Sequence, residues 1–336
     1  MGTELRVGVA GATGALGGEI LKVLDGARWR PSQVVAFASP TTSTTHVDYG
    51  DERVPVDDFD ADAIEGLDAL FVAVPEKVGR KIAETATHAG VTTIDCSLAF
   101  AEDGAVPLVV PWVNPEALTE VPRGLVAIPD PAASLLASAL GPLRRAGLDG
   151  RAEAVVMVPA SREGKGGIDE LSRQVVALFN SNTPPRKVFK DGLAFDLLPS
   201  LGAVSDDGWT DRERSVPAQV LRLVGASTEA TLVGVPLFSG ISAHLSIRFE
   251  RTVPPDLVLR VLADGGVQVP EAGGARYLPR PRRVEGRPFA HVGRVRSGAD
   301  GRTIHLWLSM DNLRTTATAA VAAAAAMLRV GRTDEA

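Results

Sequence analysis

The chain has 336 residues, 45% of them hydrophobic and 23% charged, with a net charge of −6. That length suits two domains of ordinary size, and the acidic balance gives no basic footprint for nucleic acid. The single cysteine excludes an internal disulfide, and with no Cys/His cluster no metal site is expected.

In chain order, "LRVGVAGATGALGGEILKVL" comes first. Residues 5–10 read as a buried strand, Gly11, Gly14 and Gly17 recur every three residues, and Ile20, Leu21 and Leu24 give a helical apolar face. Strand, glycine turn and helix in that order are what a dinucleotide fingerprint requires, although GxxGxxG is looser than GxGxxG. A missing side chain lets the backbone turn tightly at Gly11. At Gly14 it lets a pyrophosphate approach the helix N-terminus. The strand opens so early that no signal peptide is expected.

Further strands are predicted at 33–39, 67–75 and 91–95, with a helix over 77–90. This β/α alternation predicts a mostly parallel, doubly wound sheet. No acid closes the second strand where an NAD ribose would want one; Ser39, Thr41, Thr42 and Ser43 stand there instead. The missing acid tilts toward NADP, yet no arginine for a 2′-phosphate follows, so NADP and NAD both stay open. From about residue 150 the texture changes. A strand is expected at 152–161 and an amphipathic helix from Gly164 to Asn180. Residues 229–250 and 302–310 alternate like antiparallel strands with one covered face. The closing run from Thr316 is too short and alanine-rich to span a bilayer and reads as a buried helix packed back on the first domain. A cytoplasmic, non-membrane protein is the expectation.

The motifs "GATGALG", "TIDCSLAF", "VPLVVPWVN", "AIPDPAASLLASALGPL", "SREGKGGIDEL", "VGVPLFSG" and "DNLR" follow one another in the order seen in aspartate-semialdehyde dehydrogenases, which the chain resembles over most of its length. The resemblance is greatest to the Usg-type paralogues of that family, which lack its catalytic cysteine. It implies an α/β fold: a Rossmann-like nucleotide-binding domain over 1–130 plus the helix at 312–330, and an α+β dimerisation and substrate domain over 131–311. It further implies a homodimer, a reaction of amino-acid biosynthesis, and an NADP or NAD site around Gly11, Thr13, Gly14, Ala15, Leu16, Gly17, Ser39 and Asn312. The family reduces β-aspartyl phosphate through a cysteine thioester.

Matched residue by residue, the chemistry is missing. The nucleophile position is Pro131, in Ile-Pro-Asp-Pro rather than Asn-Pro-Asn-Cys. The histidine position is Ile241, the carboxylate-binding arginine is Gly234, and the phosphate-binding arginine is Ala101. Two further family positions read Arg212 and Ser215. Cys96 is expected to be buried and inert. Ser134 lacks a base. His244 lies three residues past Ile241, which on a strand turns it to the opposite face. The expected function is therefore that of a dinucleotide-binding homodimer unable to form the thioester. The alternative is direct hydride transfer to a small carbonyl compound, with Lys165 or Arg162 as proton donor, and a mixed dimer with an active relative is a further option.

Overall fold

The structure is a computed structural model that describes residues 4–40, 42–269 and 278–330. The chain divides into two compact units, residues 1–129 with 316–336 and residues 130–315. The boundaries leave Asn312 in the second unit, whereas the sequence motif had grouped it with the first.

In the first unit the strands are β1 (Arg6–Ala10), β2 (Gln33–Ala38), β3 (His46–Tyr49), β4 (Glu52–Asp58), β5 (Ala69–Val72), β6 (Thr92–Asp95) and β7 (Leu125–Ala127). They lie in the order β3-β4-β2-β1-β5-β6-β7. All neighbours are parallel except the β3–β4 hairpin. Strand order reverses at β1, which pairs with β2 on one side and β5 on the other, so the crevice beyond Ala10 is a topological switch point. This is a Rossmann-like sheet. Helices α1 (Ala15–Asp25) and α2 (Glu76–His88) follow β1 and β5. Val7, Val9, Phe71 and Ile94 form the core with Ile20, Leu21 and Leu24 of α1. Ala317, Ala320, Val321 and Ala324 of the last helix, α8 (Asn312–Leu328), join that cluster, which explains its near-total lack of large polar residues. Among the described residues no helix is long and apolar enough to cross a membrane. The β3–β4 hairpin was not predicted; β4 is mostly exposed and carries Pro55, and its two half-buried valines, Val54 and Val56, are too short a pattern to announce a strand.

The second unit holds β8 (Gly150–Val158), β9 (Thr228–Gly234), β10 (Ile241–Phe249), β11 (His291–Ser297) and β12 (Thr303–Met310), in the order β11-β12-β10-β8-β9. Buried and exposed residues alternate along β8, with Ala152, Ala154, Val156 and Val158 inward. Helices α3 (Pro131–Arg145), α5 (Asp211–Val224) and α6 (Pro255–Asp264) pack with one another and with this sheet. Also in this unit are α4 (Gly164–Phe179) and the short α7 (Pro281–Val284). One expectation is corrected: β9 runs parallel to β8, while β10 is antiparallel to β8 and to β12. Alternation reports a covered face and carries no information on direction. Here α4 and α5 supply the crossover that parallel neighbours require.

His291 of β11 is buried at 3% exposure, and burial together with nearby Arg287 brings its pKa down to about 4. The neutral ring therefore stabilises the fold fully above the ordinary histidine value near 6.5, and that contribution is lost as pH falls from there to about 4. Urea unfolding of the second unit at pH 5 should show a loss of about 2 kcal/mol relative to pH 7.5, absent in His291→Gln. An equal loss in that variant would assign the acid limb to other groups.

Candidate functional site

The turn after β1 is built by close backbone approach. Gly11 has φ +87, and a Cβ on it would lie 2.3 Å from the Ala73 carbonyl oxygen. Its amide and that of Ala12 donate to the Phe37 carbonyl at 2.8 and 3.1 Å, tying the turn to the end of β2. A Cβ on Gly17 would sit 2.0 Å from the Gly11 carbonyl oxygen, so α1 is drawn tight beneath the turn. Gly14 caps α1 without any side-chain hydrogen bond, and the first turn carries no acid. The result is a bare helix N-terminus at a switch point, walled by half-buried Thr13, Ala15 and Leu16. Ser39 is exposed just past β2, where its carbonyl accepts from Thr42; Thr41 lies outside the described residues.

A second constellation, entirely within the second unit, starts α3. Asp130 accepts from the Ala132 amide at 2.8 Å through Oδ1, a side-chain N-cap, and Pro131 occupies the first helical position. The other oxygen, Oδ2, accepts from Arg162 Nε at 3.1 Å and Nη2 at 2.8 Å. The Asp130 amide donates to Gln219 Oε1 at 2.8 Å, and Gln219 in turn donates to the Ser215 hydroxyl. Beside Arg162, Glu163 is paired with Arg212 at 2.6 Å. Burial alone would push the Glu163 carboxyl up, but the Arg212 guanidinium, with Arg162 nearby, holds it below the ordinary glutamate range. Four charges are thus tied in two pairs. The turn offers no thiol, and both arginines are engaged by carboxylates of the chain itself.

The strand positions are equally occupied. Ile241 opens β10 opposite Met310 and is 1% exposed. At Gly234 a Cβ would meet Leu201 Cδ2 at 3.0 Å and Leu198 Cβ at 3.1 Å, and Gly234 exchanges backbone hydrogen bonds with Leu198. A longer side chain there has no room without moving this leucine loop. The loop is pinned in its turn by α4. Glu170 accepts from the amides of Lys187, Val188 and Phe189 at 2.8–2.9 Å, and Gln174 Oε1 accepts from Leu193 and Ala194. Glu170 lies in a motif read from the sequence and Gln174 one turn beyond it, both buried, but their role depends on a loop partner the sequence does not reveal. Asn312 Oδ1 accepts from the Gly240 amide at 2.9 Å, and its Nδ2 donates to Ser161. It therefore braces the 235–240 loop against residue 161. His244 does lie on the face opposite Ile241, stacked on His305 with centroids 5.5 Å apart. Burial, then His305, Arg296 and Arg294, lower its pKa.

In the first unit Cys96 is fully desolvated, its thiol pushed well up by burial and by Asp95. A thiol held protonated is not a nucleophile. Asp95 accepts from the Ser97 and Phe100 amides and orders the turn that presents Ala101, itself 2% exposed. Ser134 lies buried in the first turn of α3 and accepts from Ser138 through its carbonyl. Lys165 is exposed on α4. Among the described residues no group of His, Cys, Asp and Glu is placed to hold a metal.

Comparison with known proteins gives two family matches: the semialdehyde dehydrogenase NAD binding domain over residues 6–121 and the semialdehyde dehydrogenase dimerisation domain over residues 140–315. An aspartate-semialdehyde dehydrogenase of Streptomyces akiyoshiensis is 31% identical, covering 92% of this chain and 94% of its own. A USG-1 protein homolog of Pseudomonas aeruginosa is 32% identical over 94% of each chain. Among solved structures, aspartate semialdehyde dehydrogenase II of Vibrio cholerae superposes with a TM-score of 0.90 at 28% identity, over 98% of this chain and 100% of its own.

Proposed function

From the fact that the chain belongs to the semialdehyde dehydrogenase family, we propose that it is a dinucleotide-binding homodimer of that family in which the thioester chemistry has been lost. The observation that carries the proposal is the turn at Asp130–Pro131, capped, ion-paired and without sulfur. The dimerisation-domain match points to the homodimer.

The glycine turn fits the diphosphate of NADP or NAD: its backbone comes close because no Cβ intervenes, and a bare helix N-terminus faces outward. Such a cofactor supplies or accepts a hydride when bound. The chain's own residues at the other site do something else. Pro131 offers no nucleophile and Ile241 no base. The Gly234 position is filled by Leu198 and Leu201. Arg162 and Arg212 are neutralised by Asp130 and Glu163, so neither is a ready clamp for a substrate carboxylate or phosphate. The same pairing removes Arg162 as a proton donor for direct hydride transfer, and Lys165 is exposed on α4.

Titration of the chain against NADPH or NADH fluorescence should give a saturable signal. Gly17→Ala should weaken it at least tenfold, because the new methyl collides with the Gly11 carbonyl and displaces α1 from the turn. No saturable signal with either nucleotide would remove the binding half of the proposal. Carbonyl-dependent NADPH turnover that disappears in Lys165→Ala would remove the other half.

A further inference from the structure

At the end of the second unit's sheet where β8 and β9 begin and β10 finishes, a groove of about 1310 Å³ runs between the strand ends and the last turns of α3 and α5. Gly234 and Ile241 lie away from this end, at the opposite ends of β9 and β10. β8 carries the chain away from it to Val158 and the 235–240 loop, some nine residues or roughly 26 Å distant.

The groove is rimmed by Arg144, Arg151, Arg248, Arg251 and Arg302. In a chain of net charge −6 this is a marked local reversal of sign. Two of the five are answered: Arg144 by Asp149 at 3.0 Å and Arg151 by Glu229 at 3.1 Å. Among the described residues Arg248, Arg251 and Arg302 form no ion pair, and Glu250 is the one other carboxylate in the lining. Asp300 feels Arg248 at longer range but is itself held to the amide and hydroxyl of Thr303. Leu148, Ile247 and Phe249 also line the groove but are nearly fully buried, so its accessible surface is mainly polar.

Guanidinium forks match phosphate oxygens two at a time, and an anion held by several at once gains from each. One phosphate is too small to reach guanidinia spread around a groove of this volume. A chain of phosphates spans them. We propose that the groove binds a polyphosphorylated small molecule, at a site separate from the glycine turn.

The test is calorimetry of the full chain with sodium triphosphate, and with metal-free ATP in a parallel arm. Saturable triphosphate binding is expected, weakening as salt is raised. It should fall at least tenfold in R251E/R302E, whose fold is checked by urea unfolding, while NADPH binding by that variant stays as in the parent. The milder R251Q/R302Q serves if charge reversal unfolds the chain. Tighter binding of ATP than of triphosphate would mark a nucleoside as the carrier, and equal binding would mark the phosphate chain alone. Absence of saturable heat, equal affinity in the variants, or competition between triphosphate and NADPH would overturn the proposal.

Discussion

Supplied with aspartate semialdehyde, phosphate and NADP⁺, this chain should reduce the nucleotide at least about 10⁴-fold more slowly than a competent relative such as the Vibrio cholerae enzyme assayed beside it. The size of the deficit follows from what each absence does. Without a thiol at residue 131 no covalent acyl intermediate forms, and without a base at residue 241 no hydroxyl or water substitutes for it. A carboxylate arriving at Gly234 meets Leu198 and Leu201 rather than a guanidinium. Residues that act as one catalytic unit lose most of their effect when any one goes, so restoring a single member should recover little. Pro131→Cys alone is expected to remain inactive. Measured reduction within about a hundredfold of the relative would sink the reading of lost chemistry, whatever its mechanism proved to be.

Asp130→Ala should destabilise the second unit by about 3 kcal/mol, read as a lowered urea midpoint with unchanged slope. One part is the helix cap, worth about 1 kcal/mol. The larger part is the two-pronged contact with Arg162, whose side chain is 19% exposed against 5% for Asp130 and which the variant removes from a largely buried guanidinium. Asp130→Asn separates the two: the amide still caps α3 but no longer neutralises the guanidinium, so it should fall between parent and alanine variant. An alanine variant within 0.5 kcal/mol of the parent, roughly the scatter of surface substitutions, would mean that the network does not hold the turn.

The opening of the first unit was legible because its signals are local. A β-branched run, three glycines and an apolar helical face stand within twenty residues, and the steric reason for Gly11 and Gly17 is the approach of Ala73 and of the turn itself. In the second unit some elements were legible, while others and the strand pairing were not. The direction of β9 depends on a long crossover, and β11, rich in arginine, has no apolar run to announce it. At the site, the family resemblance singles out Pro131, Ile241 and Gly234 as the positions on which the proposal rests. It was silent on what fills the space, since the Asp130–Arg162 and Glu163–Arg212 pairs join residues far apart in the chain. Arg162 had been weighed as a proton donor; its contact with Asp130 was beyond any spacing rule.

The parallel pairing of β8 with β9 bears on how the molecule comes to be assembled. Everything from Pro159 to Ser227 lies between these neighbouring strands, including α4, the loop latched by Glu170, and α5. Their ladder closes only after that whole stretch has been gathered, so its loop entropy is lost before the ladder's hydrogen bonds repay it. The antiparallel β10–β12 and β11–β12 ladders span shorter separations or a tight hairpin and face less of this delay. The β8–β10 ladder joins residues further apart still, so β8 is paired on both sides only late on the folding path, and residue 234, at the far end of β9, reaches its native neighbours late with it. The strand end at Gly234 is a place that folds late.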